Sequence, residues 1–378
     1  MDTRALHAPL IGQQGSREAL NTPVLVIDRD ALERNIARMA EFARGKSVAL
    51  RPHAKTHKSA DIARMQVAAG AIGICCAKLG EAEALAAEGG IENILITSPV
   101  VSPPAIARLV ELRKNRPGLM VVVDHPDNAA ALAAASPAEY PLDVLIDIDP
   151  GIGRTGVASA EAAVALASTI GTLPQLRLRG VQCYCGIQQH IESFAERKAA
   201  IEERTAYLST IIDALTAAGA APEIVSGGGT GTHRIDAEIG VFTELQVGSY
   251  VFMDRQYAEC DLAGDGEQAF ETALFVDARA VSINTPGLAT IDAGFKAFAT
   301  DGGVPVVTSG APEGAVYIFM GDEHGGILSP DFAPRLADRV TLQVPHCDPT
   351  VNLYSDYHLV RGDTLIDIWP VTARGASR

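Results

Sequence analysis

The feature that most restricts the fold of this chain is a regular exchange of short apolar runs and amphipathic stretches between Val24 and Asp254. Runs rich in Val, Ile and Leu read as strands over 24–28, 48–53, 73–78, 94–98, 119–125, 142–149, 176–186, 222–228 and 244–252. Helical spacing falls between most of them, over 30–43, 81–88, 104–115, 159–168 and 193–218. The last carries its apolar positions at Ala199, Ile201, Tyr207, Leu208, Ile211, Ile212 and Leu215. Strands that alternate with helices run parallel and are joined by right-handed crossovers. That many units in one continuous stretch predict an α/β fold, a (β/α)8 barrel. Nine candidate strands exceed eight, so 24–28 is assigned outside the barrel as a partner of a second domain. Lys55 then follows the first barrel strand.

Beyond Asp254 helical spacing stops, and short strands broken by Gly, Pro and Asp take over: 272–281, 288–292, 304–308, 315–319, 339–344, 357–360 and 364–369. This predicts an all-β second domain, with the weakly patterned first twenty residues beside it. The expected division is a barrel over 23–254 and a β domain from 1–22 plus 255–378. A formal charge of −15 without a basic stripe excludes a nucleic-acid footprint. No run approaches the length of a membrane span or resembles a signal peptide, so a cytoplasmic protein without a membrane partner is expected. The six cysteines include no C-x-x-C pair, which favours reduced thiols.

In a parallel barrel the active site lies at the C-terminal mouth, in the loops after the strands. After the first strand comes Arg51-Pro52-His53-Ala54-Lys55-Thr56-His57-Lys58. If the extended backbone continues, Arg51, His53 and Lys55 share a face. An amine beside an Arg and imidazoles is disfavoured as a cation and becomes a nucleophile towards carbonyls. The alternative is a basic solvated loop. Asp124-His125, Tyr184 and His190 follow later strands. Gly151–Gly156 spells G-x-G-x-x-G, but Pro150 precedes it, Arg154 would crowd a pyrophosphate, and no acidic residue follows at the ribose distance. An Arg on such a turn suits a phenolate or a carboxylate. Ser226-Gly227-Gly228-Gly229-Thr230-Gly231-Thr232 offers bare amides and hydroxyls for a phosphate, and Gly248-Ser249-Tyr250 makes a second such turn. Glycine turns after the last two strands are where this fold holds phosphates. In Pro345-His346-Cys347-Asp348-Pro349, a continued strand would put His346 and Asp348 on one side. They would form either a divalent-metal site or a hydrogen-bonded structural pair.

Together these pieces resemble the D-threonine aldolase and D-serine dehydratase family of pyridoxal-phosphate enzymes with the alanine-racemase type of fold. The matching residues include Thr22-Pro23, Arg51–Lys58, Gly73–Lys78, Gly153–Val157, Ser226–Gly231, Glu244–Tyr250, Asp292-Ala293-Gly294, Asp322–Gly325, His346–Thr350 and Trp369-Pro370. They occur in order along nearly the whole chain. The resemblance implies that Lys55 carries pyridoxal 5'-phosphate and that Arg154 approaches its phenolic oxygen. It also implies that Tyr184, Gly228, Gly229, Thr230, Gly231, Gly248, Ser249 and Tyr250 surround the cofactor. His346 and Asp348 would bind a divalent metal, Mn²⁺ or Mg²⁺ in preference. Dehydratase members place Cys where Asp348 stands, and aldolase members place Asp. The expected reaction is therefore metal-assisted retro-aldol cleavage of a small-molecule D-3-hydroxy amino acid, D-threonine-like, to glycine and an aldehyde. His190 is the candidate base, and a homodimer is implied. The alternatives are a D-serine or 3-hydroxy-D-aspartate dehydratase, a racemase, and a non-catalytic pyridoxal-phosphate carrier.

Overall fold

The computed structural model describes residues 3–378, which form two sheets and the helices packed on them. The first strand, β1 (Val24–Asp28), leads into a long helix, Arg29–Lys46, capped by the Asp28 carboxylate on the amides of Asp30 and Ala31. Eight parallel strands follow: β2 (Ala49–Leu50), β3 (Ile74–Cys76), β4 (Ile94–Ile96), β5 (Met120–Val123), β6 (Leu142–Ile148), β7 (Leu176–Cys183), β8 (Ile224–Gly227) and β9 (Glu244–Leu245). Their order is β2-β9-β8-β7-β6-β5-β4-β3. The ring closes between β2 and β3 through Ile72 N to Leu50 O at 2.9 Å, Cys75 N to Pro52 O at 2.8 Å and Ala54 N to Cys75 O at 2.8 Å. This is the (β/α)8 barrel of the alanine-racemase type.

Several barrel strands are shorter than their apolar runs. After Leu50 the chain reaches Pro52, which has no amide to give a ladder. After Leu245 it turns at Gly248 into the one-turn helix Ser249–Val251. Both departures happen at the mouth, where the loops must cross the opening rather than extend the sheet. At the other end, Gly180 on β7 has φ +152, and a Cβ there would run into the Ile224 carbonyl on β8.

The second sheet is mostly antiparallel. It comprises β10 (Leu274–Thr285), β11 (Leu288–Ile291), β12 (Val306–Ser309), β13 (Val316–Phe319), β14 (Gly325–Leu328), β15 (Arg339–Gln343), β16 (Asp356–Arg361) and β17 (Thr364–Pro370). β1 sits inside it, antiparallel to β10 and parallel to β16. A division at residue 23 leaves β1 with the barrel along the chain, although its hydrogen bonds go to this sheet. Residues 3–20 run along the same sheet: Gly12 N donates to Leu365 O at 2.8 Å, and Arg17 grips Asp277 at 2.7 and 2.8 Å. The 322–325 stretch reads as a turn in sequence, yet Gly325 opens β14, paired with both β11 and β13. Gly-Gly shows no side-chain alternation. Gly is required at 325 because the Tyr317 ring lies where its Cβ would be.

Beneath the mouth the barrel interior holds a connected polar network beside an apolar cluster of Cys75, Leu95, Met120, Val122 and Leu145. Arg51 makes two hydrogen bonds to Glu244, at 2.8 and 2.9 Å, and both side chains are buried. Ser226 donates to Glu244 at 2.7 Å, Gln246 donates to Ser226 at 2.9 Å and to Gln182 at 3.1 Å, and Gln182 donates to Asp147 at 2.9 Å. Removing one side of a buried ion pair leaves the other charge uncompensated and costs about 3–5 kcal/mol. Glu244→Ala should lower the stability from urea unfolding by that amount, and Glu244→Gln by less. A loss below about 1 kcal/mol for the alanine variant would show that Arg51 is hydrated rather than locked.

Candidate active site

Lys55 stands just past β2, where its amide donates to Nδ1 of His53 at 3.3 Å. Its ammonium lies 3.1 Å from Oδ1 of Asp348 and 6.0 Å from the centre of the Tyr184 ring. The sequence suggests that Arg51 would crowd this amine and lower its pKa, and the structure reverses that. Arg51 turns to Glu244, and the Asp348 carboxylate raises the Lys55 pKa well above that of an ordinary lysine. Burial, with Lys55 second, pushes the neighbouring His53 well below its usual range, so its ring is neutral beside Thr97 Oγ1 at 3.1 Å. Lys55 without a cofactor is a paired cation.

Two adjoining cavities open around it. The larger, about 500 Å³, is walled by His53, Lys55, Lys78, Thr97, Asp124, Arg154, Tyr184 and Gln246 among others. The smaller, about 40 Å³, is walled by Lys55, Thr56, Tyr184, His190, Gly229, Thr230, Gly248, Ser249, Tyr257, His346 and Asp348. Most residues singled out from sequence therefore meet at one mouth. Gly228, Gly231 and Tyr250 stand behind it. Gly228 takes φ +68, the Gly231 amide donates to Gln189 Oε1 at 3.0 Å, and Tyr250 sends its hydroxyl inward to accept from Gln66 Nε2 at 3.0 Å. The Tyr250 amide donates to Thr230 Oγ1 at 3.0 Å and so ties the two glycine turns together. His125 is a helix cap, accepting from Asp127 N at 3.1 Å.

The glycine turns fit a phosphate. Among the described residues the buried hydroxyl of Thr56 makes no hydrogen bond of good geometry, with the Asp348 carboxylate its nearest acceptor. A Cβ on Gly248 would come within 2.7 Å of the Thr56 oxygen, and one on Gly229 would strike the Gln189 side chain. The space is kept open by bare backbone. Asp236 braces the first turn from behind, accepting from Thr232 Oγ1 at 2.5 Å, while Thr232 Oγ1 accepts from Gly229 N at 3.2 Å. Burial raises the Asp236 carboxyl to about 7. The G-x-G-x-x-G turn is organised differently. Its amides at Gly151, Ile152 and Gly153 all donate to Asp149 Oδ1, at 2.9, 2.7 and 3.1 Å, so a pyrophosphate would have to displace a carboxylate. What the turn presents is Arg154.

The metal-ligand motif is not a continued strand. β15 ends at Gln343, and Cys347–Val351 is a short helix with His346 at its cap. The bend is held by Asp254, whose Oδ2 accepts from Cys347 N at 2.8 Å. His346 and Asp348 still meet, with Nε2 3.9 Å from Oδ2. Asp301 takes the other ring nitrogen at 2.8 Å and fixes which nitrogen faces Asp348. An imidazole and a carboxylate suit a metal of intermediate to hard character, and the ammonium already against Asp348 shows that the position attracts a cation. Among the described residues no three His, Cys, Asp or Glu side chains are grouped to hold an ion, so water or substrate would complete such a shell. His190 closes the smaller cavity, its ring 4.4 Å from that of Tyr257. Burial, with His346 and Lys55 adding to it, lowers its pKa to about 4, so the imidazole is neutral near pH 7.

Sequence reading missed Thr56, Lys78, Gln182, Gln246, Tyr257 and Asp301. Glutamine and threonine carry no local motif. Asp301 acts on a residue 45 positions away, so no spacing rule could pair them.

The fold and this mouth place the chain in a known class: it belongs to the family described as alanine racemase, N-terminal domain, whose model matches residues 27–256. A second model, described as "Putative serine dehydratase domain", matches residues 273–360. Among individual proteins, the chain is 41% identical over 363 residues to a 3-hydroxy-D-aspartate aldolase of Paracoccus denitrificans (strain Pd 1222), covering 94% of this chain and 92% of that one. It is 38% identical over 379 residues to a D-threonine aldolase of an Arthrobacter species, covering 99% and 98%. The crystal structure of D-threonine aldolase from Filomicrobium marinum superposes with a TM-score of 0.91 at 39% identity, covering 96% and 98%.

The Asp236 brace has a pH signature. In the unfolded chain an Asp carboxyl loses its proton near pH 4, whereas in the folded protein it keeps it to about 7. Between those values the folded state holds the extra proton, so stability falls as pH rises, by on the order of 4 kcal/mol across the window. Asp236→Asn cannot titrate there. Urea unfolding at pH 5 and pH 8 should show wild type losing stability relative to the variant. Parallel losses would mean that the carboxyl titrates normally.

Proposed function

We propose that the protein is a pyridoxal-phosphate-dependent aldehyde-lyase that cleaves D-3-hydroxy amino acids to glycine and an aldehyde. The observation that carries this reading is the convergence, around one amine, of an open glycine cradle and an imidazole–carboxylate pair from the other sheet. Lys55 would hold the cofactor, with Thr56, Gly229, Thr230, Gly248 and Ser249 about its phosphate. Arg154 and Tyr184 would lie along its ring. Bound there, pyridoxal phosphate supplies an electron sink for the pair left on Cα. His346 and Asp348 would hold a divalent cation, Mn²⁺ or Mg²⁺, which supplies Lewis acidity to the substrate hydroxyl.

The residues then divide the work. The neutral ring of His190 takes the proton of the β-hydroxyl, the electron pair of that O–H bond becomes the second bond between oxygen and Cβ, the Cα–Cβ bond breaks with its pair left on Cα, the aldehyde leaves, and a proton returned to Cα completes glycine. Asp301 holds the His346 ring so that its other nitrogen stays towards Asp348. The Gln182–Gln246–Ser226–Glu244–Arg51 chain keeps the floor of the mouth rigid and its polar groups satisfied, which limits water and motion at the amine. We take the working unit to be a homodimer in the cytoplasm, built from the barrel 23–254 and the β domain. Among the described residues no helix is long and apolar enough to cross a membrane.

Purified protein supplied with pyridoxal phosphate and Mn²⁺ should release glycine and an aldehyde from a panel of D-3-hydroxy amino acids. Formation of a 2-oxo acid and ammonia instead would make it a dehydratase. Lys55→Ala should abolish turnover. His346→Ala, or chelation of wild type, should lower kcat/KM by about 100-fold or more. Unchanged rates in metal-free protein would remove the pair from the chemistry.

A further inference from the structure

One buried charge in the molecule has no carboxylate to answer it. Arg197 stands near the start of helix Phe194–Ala217 and is wholly shielded from solvent. Its guanidinium donates to three backbone carbonyls, through Nη1 to Ile191 O and to Glu192 O at 3.3 Å, and through Nη2 to Asp261 O. Nε has no partner, and among the described residues Arg197 forms no ion pair. The side chain of Asp261 is turned away, accepting from Gly264 N at 2.7 Å. A cation taken from water without an opposite charge is costly, and an apolar side chain of similar length would fill the space without that cost.

What an apolar side chain cannot do is span two loops with one planar fork of donors. Ile191 and Glu192 follow the one-turn helix Ile187–His190, and Asp261 follows the short helix Arg255–Ala258 that carries Tyr257. Asp261 N donates to Glu192 O at 3.0 Å, so the two loops are laced together beside the same guanidinium. They carry His190 and Tyr257, whose rings pack 4.4 Å apart in the wall of the smaller cavity. The His190 turn has a second anchor in the buried Gln189, which donates to Thr232 Oγ1 at 3.0 Å and accepts from Gly231 N at 3.0 Å. Gln189 sets the turn against the glycine cradle, and Arg197 sets it against the Tyr257 segment. We propose that Arg197 is a positioning residue for the base of the retro-aldol step: by gripping the carbonyls of Ile191, Glu192 and Asp261, it holds the His190 ring against Tyr257 at the smaller cavity. This rests on the retro-aldol reading above and deepens it.

The test uses the holoenzyme as wild type, Arg197→Met, Arg197→Lys, His190→Ala and the double variant Arg197→Met/His190→Ala, with D-threonine as substrate. Arg197→Met should lose about 30-fold in kcat, with KM and the dissociation constant of pyridoxal phosphate changed by no more than roughly threefold. The lysine variant, which keeps the charge but not the fork, should fall between, and full activity in it would contradict the clamp. If Arg197 acts through His190, the double variant should be no slower than His190→Ala. A further loss of about 30-fold in the double variant would mean that Arg197 supports the fold at large, and would overturn the proposal. Labelling with diethyl pyrocarbonate, read by peptide mass spectrometry, needs no turnover. His190 should react about tenfold faster in Arg197→Met, with the exposed His125 unchanged, and equal His190 rates would also overturn the proposal. Should Arg197→Met not fold, Arg197→Lys takes its place in the cycle and in the labelling. His190→Ala with full turnover would remove the base, and the proposal with it. If wild type cleaves no D-3-hydroxy amino acid, the retro-aldol reading fails, and the labelling still decides whether Arg197 holds the His190 ring. If wild type cleaves D-threonine and the labelling ignores the variant, the activity stands and the role of Arg197 falls.

Discussion

The buried carboxylate of Asp254 accepts from Cys347 N at 2.8 Å and from Tyr257 N at 3.1 Å. The second caps the short helix Arg255–Ala258, while the first, with Arg255 N to Val344 O at 3.1 Å, joins the end of the barrel to the segment that carries His346 and Asp348. They hold the motif where it leaves β15 and bends over the barrel mouth. Because it bends, a carboxylate from one sheet reaches an ammonium from the other, and the site exists only where the two meet. The pairing of Lys55 with Asp348 is therefore the contact through which each half of the molecule sets the chemistry of the other.

That contact also explains the electrostatics. Around a lone lysine, neighbouring cations would weaken its charge. Here the nearby imidazoles of His53 and His190 are both driven neutral by burial, while Asp348 holds Lys55 charged. The site thus keeps one strong cation and neutral rings beside it. Arg51 stabilises the barrel interior through Glu244 instead of acting on the amine, so an Arg four residues before a reactive Lys can belong to the floor rather than to the chemistry.

Much of this was legible in the sequence because barrel loops follow their strands in order. Lys55, Arg154, Gly229, Gly248 and Ser249 each lie just past an apolar run, and the fold alone brings such positions together. The strand 24–28 could be set apart by counting to eight. What stayed hidden has a physical reason in each case. The 345–350 segment looked extended because its bend depends on Asp254, almost a hundred residues earlier. β14 was hidden by Gly325 and Gly326, the first of which makes room for the Tyr317 ring. Asp301, Asp236 and Gln246 act only through partners brought by tertiary structure, and the direction of the Lys55 shift followed from a carboxylate of the other sheet.

The central claim is that the amine at position 55, and no other, carries an aldehyde cofactor at this mouth. Treating the purified protein with pyridoxal phosphate, reducing it with borohydride and mapping its peptides by mass spectrometry tests this directly. A single phosphopyridoxyl group on Lys55 is the predicted result. Label on Lys58 or Lys78 in its place, or no label at saturating cofactor, would contradict it.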